Sequence, residues 1–319
     1  MVERVSAVQR QRSNIVAERE IMRYADDDAM WHKHVHGVDL DPVQVLKMHD
    51  MARHPKTVDV SCRRTRKTTT KELFNLKKLS TTPDQELGVV APRMQQAQVN
   101  MLYHTEAIDR SPILKAFIRY RNGRRQLSDT RYQFANRSLA QAYGIMSQID
   151  GGDLTMASLE EVDDMPHKRL HANFLPMLGG SERLGAAKGS ANEPEIRVTG
   201  VYKGADTLQS MVDRSDYHLL MTVDRYLAQQ MGIAHASVYD QMCDELTADE
   251  YIRQVLCKNV SGRNLIWELH LRRALQLGLR SRYEFACPMP GCEYRKRGLI
   301  SFGYDAGGHG ERPESSRHS

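Results

Sequence analysis

The chain has 319 residues, 45 Lys and Arg against 40 Asp and Glu, and a formal net charge of +5. At ~150 residues per domain this length fits about two domains with cores of their own, so neither a disulfide framework nor a structural metal is needed for stability. Apolar residues at 40% and charged residues at 27% exclude wholesale disorder, and the mild positive charge permits a nucleic-acid partner without demonstrating one.

No apolar run approaches the ~18 residues of a membrane span, and the N-terminal segment is charged throughout, without the apolar stretch of a secretory signal. In chain order, a polar helix runs to about Tyr24 and is interrupted by Asp26, Asp27 and Asp28. WHKHVHG (31–37) alternates with the period of a strand and sets His32, His34 and His36 on one face, where they read as solvated side chains. DPVQVLKMHDMARHP (41–55) opens with Pro42 in the first turn of an amphipathic helix. TVDVSC (57–62) is a strand, RRTRKTTT a polar loop and KELFNLKKL a helix. ELGVVAP (86–92) is a second strand and MQQAQVNMLYHTEAI a helix. RYRNGRRQ (119–126) reads as a solvated hairpin, with contact to DNA phosphates as the alternative. RYQFANRSLAQAYGIM (131–146) forms two strands across a turn at Asn136. DLTMASLEE (153–161) and EIRVTGVYKG (195–204) are further strands, separated by a Gly/Ala/Ser-rich loop at 179–194. Strands alternating with helices predict an α/β fold with a largely parallel sheet covered on both faces. From 206 the pattern turns helical: SDYHLLMTVDRYLAQQM, TADEYIRQVLCKN and NLIWELHLRRALQLG. GLISFGYDAGGHG (298–310) then forms a new strand ending in Asp305, so the chain is expected to stop just inside a further domain.

SCRRTRKT (61–68) sits between a strand and a helix with the spacing G-x-x-x-x-G-K-[ST], Ser61 and Arg66 standing in the two glycine positions. Phosphate binding there requires backbone N–H groups at a helix N-terminus, Lys67 for the β/γ-phosphates and the Thr68 hydroxyl for Mg²⁺. Arg63 and Arg64 add positive charge. If position 66 needs a positive φ, an arginine there costs ~1–2 kcal/mol. About ninety residues later an apolar strand ends in Glu160 and Glu161. This order and these paired acids suit a metal-holding carboxylate followed by one that polarises water.

These motifs, in this order, resemble the large terminase subunit of tailed bacteriophages. SCRRTRKT is similar to that family's Arg-rich phosphate loops, LEEVDDM to its acidic strand, VVAPRMQQAQ to its helicase-like segment and FANRSLAQAYG to its β-hairpin. VTGVYKG resembles its coupling motif and FGYDAGGHGE the first strand of its nuclease. The resemblance implies a P-loop sheet of the ASCE/RecA-like type flanked by helices and followed by a mainly helical linker subdomain. The expected organisation is an N-terminal helical or extended segment (1–38), an ATPase domain (39–205), the linker (206–298) and the first strand of an RNase H-like nuclease (299–319). Implied roles are Gln44 reading adenine, and Ser61, Arg64, Lys67 and Thr68 binding nucleotide. Arg63 is implied as an arginine finger in cis, Glu160 with Thr68 as Mg²⁺ ligands and Glu161 as the catalytic glutamate. Thr199 and Gly200 are implied as the coupling pair and Asp305 as a remnant nuclease ligand.

The implied cofactors are ATP and Mg²⁺, with a second divalent-metal site only in a full-length protein. The implied partners are double-stranded viral DNA, a portal protein, a small terminase subunit and further copies in a ring, in the cytoplasm of a bacterial host and away from membranes. Two-metal cleavage needs several carboxylates, and after Asp305 only Glu311 and Glu314 remain, so no nuclease activity is expected. Cys62, Cys243, Cys257, Cys287 and Cys292 read as free thiols of a reducing cytosol rather than disulfides or a zinc site. Two alternatives stand beside the motor: a truncated or decayed, non-catalytic packaging protein, and a helicase-like DNA-dependent ATPase.

Overall fold

Three helices precede the first strand: α1 (Ala7–Met22), α2 (Asp28–His36) and α3 (Pro42–Arg53). The computed structural model describes residues 7–147, 153–178 and 193–260. α2 starts at the N-cap Asp27, whose side chain accepts the Met30 N–H, and ends at Gly37, whose φ of +72° closes the last turn. It replaces the strand expected at 31–37. Trp31, His32, Val35 and His36 are all buried, and their spacing is a helical stripe that mimics a two-residue period over so short a run. The histidines do not share one solvated face. His32 Nδ1 and His36 Nε2 lie 2.7 Å apart in the core, one turn from each other, while His34 Nε2 meets Glu20 Oε2 at 2.9 Å.

The rest follows the alternation of strand and helix. β1 (Lys56–Asp59), α4 (Lys67–Thr81), β2 (Glu86–Ala91), α5 (Met94–Arg110) and α6 (Pro112–Phe117) come first. A hairpin of β3 (Tyr120–Arg121) and β4 (Arg124–Arg125) follows, then β5 (Arg131–Gln133), β6 (Leu139–Gly144), β7 (Met156–Glu160) and β8 (Glu195–Thr199). α7 (Thr207–Val212), β9 (His218–Leu219), α8 (Arg225–Gln230), α9 (Ala236–Glu245) and α10 (Ala248–Gln254) complete the described chain. The main sheet has seven strands in the order β5-β6-β2-β7-β8-β1-β9. Every pairing is parallel except β5 with β6.

Both sheet faces are covered. On one, Leu87, Val89 and Met156 pack with Trp31, Met48, Phe74, Leu76, Met101 and Phe117 of the helices. On the other, Val58, Val90, Leu159 and Val198 meet Met165, Leu170, Phe174 and Met211 from short turns and α7. A third cluster joins Cys62 and Val43 to Val223, Ala228, Tyr239 and Val255.

One departure concerns the segment expected to form the first linker helix (215–231). His218 and Leu219 instead add β9 to the open edge of β1, and Leu220 N donates to Val58 O at 2.8 Å. The helix there shrinks to α8 because pairing with an available sheet edge overrides local propensity. The helix expected in TADEYIRQ is present as α10, begun by a capping box of Thr247 and Glu250. The third linker helix, Cys287, Cys292, most of the 179–194 loop and the strand ending in Asp305 lie outside the described residues.

The histidine pair makes a testable demand on stability. Burial draws His36 down to about 4 and His32 well below the usual histidine range. The His36 and Lys77 charges add to the effect at His32, and Arg110 adds to it at His36. Unfolded histidine titrates near ~6.5, so between there and 4 the unfolded chain binds protons that the folded chain excludes. Stability is therefore full above the unfolded value and falls as pH drops through the folded one, by up to ~1.4 kcal/mol per pH unit for each histidine. Urea midpoints should decline from pH 7 to pH 4 (about three units), and the double variant His32→Leu/His36→Leu should flatten that decline.

Candidate active site

Backbone register assembles the first row of the site. Asp59 of β1 is paired with Thr199 of β8, and Thr199 with Glu160 of β7. Residues in register point to the same face, so three polar side chains line up at the C-terminal ends of adjacent parallel strands, where α/β sheets bind ligands.

The loop leaving β1 is shaped without glycine. Ser61 Oγ donates to Asp59 Oδ1 at 2.5 Å and accepts from Lys47 Nζ at 2.7 Å and Val223 N at 3.0 Å. The hydroxyl thus closes the base of the loop. Lys47 Nζ also reaches Asp59 Oδ2 at 2.6 Å in a fully buried pair. Burial opposes the charge on Asp59, but Lys47, the Ser61 hydroxyl and the Lys67 charge together hold the carboxyl below its ordinary range. Arg64 and Arg66 take left-handed backbone angles, φ +69° and +58°. The strain expected of Arg66 is therefore present, on the order of 1–2 kcal/mol.

Arg66 is the N-cap of α4 and makes no side-chain capping bond, so the first-turn amides of α4 are not capped by a side chain. Lys67 is only 8% exposed, yet its ammonium makes no hydrogen bond or ion pair with any described residue. An enclosed cation beside an uncapped helix N-terminus is a site for a phosphate-like anion.

The acids of β7 have distinct surroundings. Glu160 Oε1 accepts from Thr68 Oγ1 at 2.9 Å. Its Oε2 accepts from Lys71 Nζ at 2.8 Å and from the Thr199 hydroxyl. Lys71 also donates to Leu159 O at 3.0 Å and lies 3.4 Å from Glu72. Burial opposes its charge, but the two glutamates prevail and raise its pKa. Glu72 in turn accepts from Ser158 Oγ at 2.5 Å and meets His104 Nε2 at 3.0 Å. Glu161 adopts φ +55°, and Lys203 Nζ lies 2.7 Å from its Oε2 and 2.5 Å from Asp164 Oδ2. The Glu161 contact is an ion pair without the alignment of a hydrogen bond.

Thus Ser61, Lys67, Thr68, Glu160 and Thr199 come together. Gly200 follows at once, its N–H donating to Asp59 O at 3.2 Å. Gln44 is buried on α3 with its amide committed: Oε1 accepts from Asp41 N at 3.2 Å and Nε2 donates to Thr70 Oγ1 at 3.1 Å. Arg63 turns to α10, its Nε donating to Gln254 Oε1 at 2.7 Å. Arg64 is exposed with no side-chain partner among the described residues. Asp305 lies outside the described residues.

Lys47, Asp59, Lys71, Glu72 and Lys203 belong to the site although no sequence motif assigns them a role. Position is the one signal they carry: Lys71 follows Lys67 by one helical turn, and Lys47 falls on the apolar stripe of α3.

The donors fit Mg²⁺ with a nucleoside polyphosphate. Lys67 and the α4 amides suit the phosphates. Thr68 Oγ1 and Glu160 Oε1 converge as a small oxygen set of the kind Mg²⁺ accepts when phosphates and water supply its other ligands.

No protein-family model matches the chain, and no curated protein matches it in sequence. Solved structures do match in fold. The Thermus phage P74-26 large terminase ATPase domain aligns with a TM-score of 0.53 and 12% identity over 72% of this chain and 97% of that one. The HK97 bacteriophage large terminase aligns with a TM-score of 0.52 and 13% identity over 73% of this chain. The aligned region spans 55% of the HK97 chain. The mostly parallel seven-stranded sheet with flanking helices is thus similar in fold to these terminase ATPase domains.

Removing Lys71 leaves Glu160 and Glu72 buried beside each other without their shared cation. Lys71→Met should destabilise the fold by ~3–5 kcal/mol. The corresponding variant of the half-exposed Lys115, whose nearest carboxylate is Asp109 at 3.9 Å, should stay within ~0.5 kcal/mol of wild type. Urea denaturation of the two proteins checks both values.

Proposed function

We propose that the chain is the ATPase motor of viral DNA packaging, coupling ATP hydrolysis to movement of double-stranded DNA into a capsid. The supporting observation is the enclosed Lys67 at the start of α4, without a partner among the described residues and next to Thr68, whose hydroxyl meets Glu160, in a fold like that of terminase ATPase domains.

In this reading the α4 amides and Lys67 bind the β- and γ-phosphates of ATP. Thr68 and Glu160 would hold Mg²⁺, which when bound would supply charge neutralisation for phosphoryl transfer. Lys71 and Thr199 fix Glu160 through Oε2, leaving Oε1 directed at Thr68. Glu161, once released from Lys203, would orient and deprotonate the attacking water. Arg64, without a side-chain partner among the described residues, adds positive charge at the phosphates, and Arg63 joins it on leaving Gln254. Gln44 contributes to the base end of the nucleotide site through α3.

Coupling runs through Thr199 and Gly200. One strand end carries the residue bonded to Glu160 and the residue whose N–H meets Asp59 under the phosphate loop. The partners follow from the same reading: a portal ring, a small terminase subunit and further copies in a ring, within the bacterial host cytoplasm.

Lys67→Ala should abolish DNA-stimulated ATP hydrolysis. Glu161→Gln should still bind Mg-ATP while hydrolysing it ~10²–10⁴-fold more slowly. Steady-state phosphate release and fluorescent-nucleotide binding read the two effects. Absence of any nucleotide binding by the wild-type chain at millimolar Mg-ATP would sink the motor and favour a non-catalytic docking protein.

A further inference from the structure

The strongest charge feature outside the nucleotide site is the β3–β4 hairpin. Tyr120 pairs with Arg125 and Arg121 with Arg124, and all four residues are exposed. The turn residues Asn122 and Gly123 have φ +52° and +74°, the two left-handed positions of a tight hairpin turn whose twist matches its strands. Arg119 anchors the base: its N–H donates to Gln133 O at 2.8 Å and its O accepts from Gln126 N at 2.8 Å. The ribbon is therefore short and held at its root.

Its charges are not neutralised. Arg119, Arg121, Arg124 and Arg125 make no ion pair with any described carboxylate, and neither does Arg10 of α1. Arg10 Cζ lies 5.5 Å from the Tyr120 ring centroid and Arg125 Cζ lies 5.8 Å from it. Arg125 Nε also donates to Tyr120 OH at 3.1 Å. Arg121 and Arg124 are directly opposed across the ribbon, where like charges destabilise a strand pair. A planar guanidinium takes phosphate oxygens two at a time, so a row of phosphates would relieve this repulsion. A two-stranded ribbon also fits the major groove of B-form DNA.

We propose that the arginine hairpin at 119–125, with Arg10 beside it, is the surface on which this chain grips the phosphate backbone of duplex DNA. The proposal rests on the motor reading for its choice of polyanion. It assigns the grip to a surface made by β3, β4 and α1, separate from the residues placed around the nucleotide.

The test uses the full chain and a fluorescent duplex of mixed sequence, titrated by anisotropy at several KCl concentrations. The triple variant Arg121→Gln/Arg124→Gln/Arg125→Gln removes three exposed charges and retains Tyr120 and Arg119. Each DNA phosphate left without its arginine should reduce the slope of log K against log salt by ~0.9, so the slope of the triple variant should be shallower by up to about 2.7. Its affinity at low salt should fall at least tenfold. The single variant Arg121→Gln should show about one third of the slope change, and both variants should hydrolyse ATP without DNA at the wild-type rate. Unchanged affinity and slope in the triple variant would overturn the proposal, as would a wild-type chain that binds no duplex. Phosphatidylserine vesicles bound in preference to duplex, with that binding abolished in the same variant, would also overturn it by assigning the surface to a membrane. DNA-free ATP hydrolysis that depends on Lys67 would leave the nucleotide site standing in each of these cases.

Discussion

The Lys71 ammonium sits between two buried carboxylates, and the rest of the site takes its orientation from that contact. Lys71 is 2% exposed, as is fitting for a cation bonded to Glu160 Oε2 and Leu159 O, and Glu72 beside it is fully buried against Ser158 and His104. An unpaired charge in such a place costs several kcal/mol, so α4 can dock on the sheet in only one rotation and one longitudinal register. Residues four apart share a helix face. The rotation that satisfies Lys71 and Glu72 therefore sets Lys67 and Thr68 one turn earlier, at the strand ends. The face of α4 that carries Lys67 and Thr68 is an extension of its buried ionic face.

The same economy of charge explains how the loop after β1 is shaped without glycine. A glycine at position 61 would leave Lys47 and Val223 N without a shared acceptor; the Ser61 hydroxyl serves both and bonds Asp59. At 64 and 66 the left-handed turns remain, and arginines occupy them. That strain is confined to a loop whose two ends are fixed. One end is held by the Lys47–Asp59 pair. Its second residue is bound through Cys62 N to Val223 O at 2.9 Å, with Cys62 Sγ 3.3 Å from Tyr239 OH. Glu161 is a third left-handed residue in the site, pinned by its N–H to Thr199 O at 2.9 Å. Strained residues persist where the surroundings over-determine them, and here each has at least one anchored neighbour.

The alternation of strands and helices is legible in the sequence because β1, β2, β7 and β8 are short apolar runs between turn residues, and because DPVQ and TADE carry helix-start chemistry in their side chains. The order of the loop at 61–66 and the acidic strand β7 is legible for the same reason. What escapes is tertiary. WHKHVHG satisfies a two-residue period, but burial of Trp31 selects the helix. HLL at 218–220 is neutral in propensity, and the free edge of β1 decides for a strand. Lys47 and Lys71 look like ordinary surface charges in a helix until a carboxylate from another element faces each of them. Lys203 lies inside VTGVYKG without a role of its own there, since only the fold brings it to Glu161.

The site makes few demands on residue identity. The requirements at the site are a strand register, an uncapped helix N-terminus and a neutralised pair of buried acids. None of these demands a glycine at a set position. A left-handed turn tolerates arginine at a cost of ~1–2 kcal/mol, a serine hydroxyl can close a loop, and glutamate can stand at a strand end where aspartate also fits. Glycine spacing is therefore not what fixes the site. The placement of Asp59, Thr199 and Glu160 in one row above Lys71 does not depend on that spacing, because hydrogen-bonded parallel strands admit no half-register alternative. The geometry is retained by backbone pairing and charge balance, which many sequences meet.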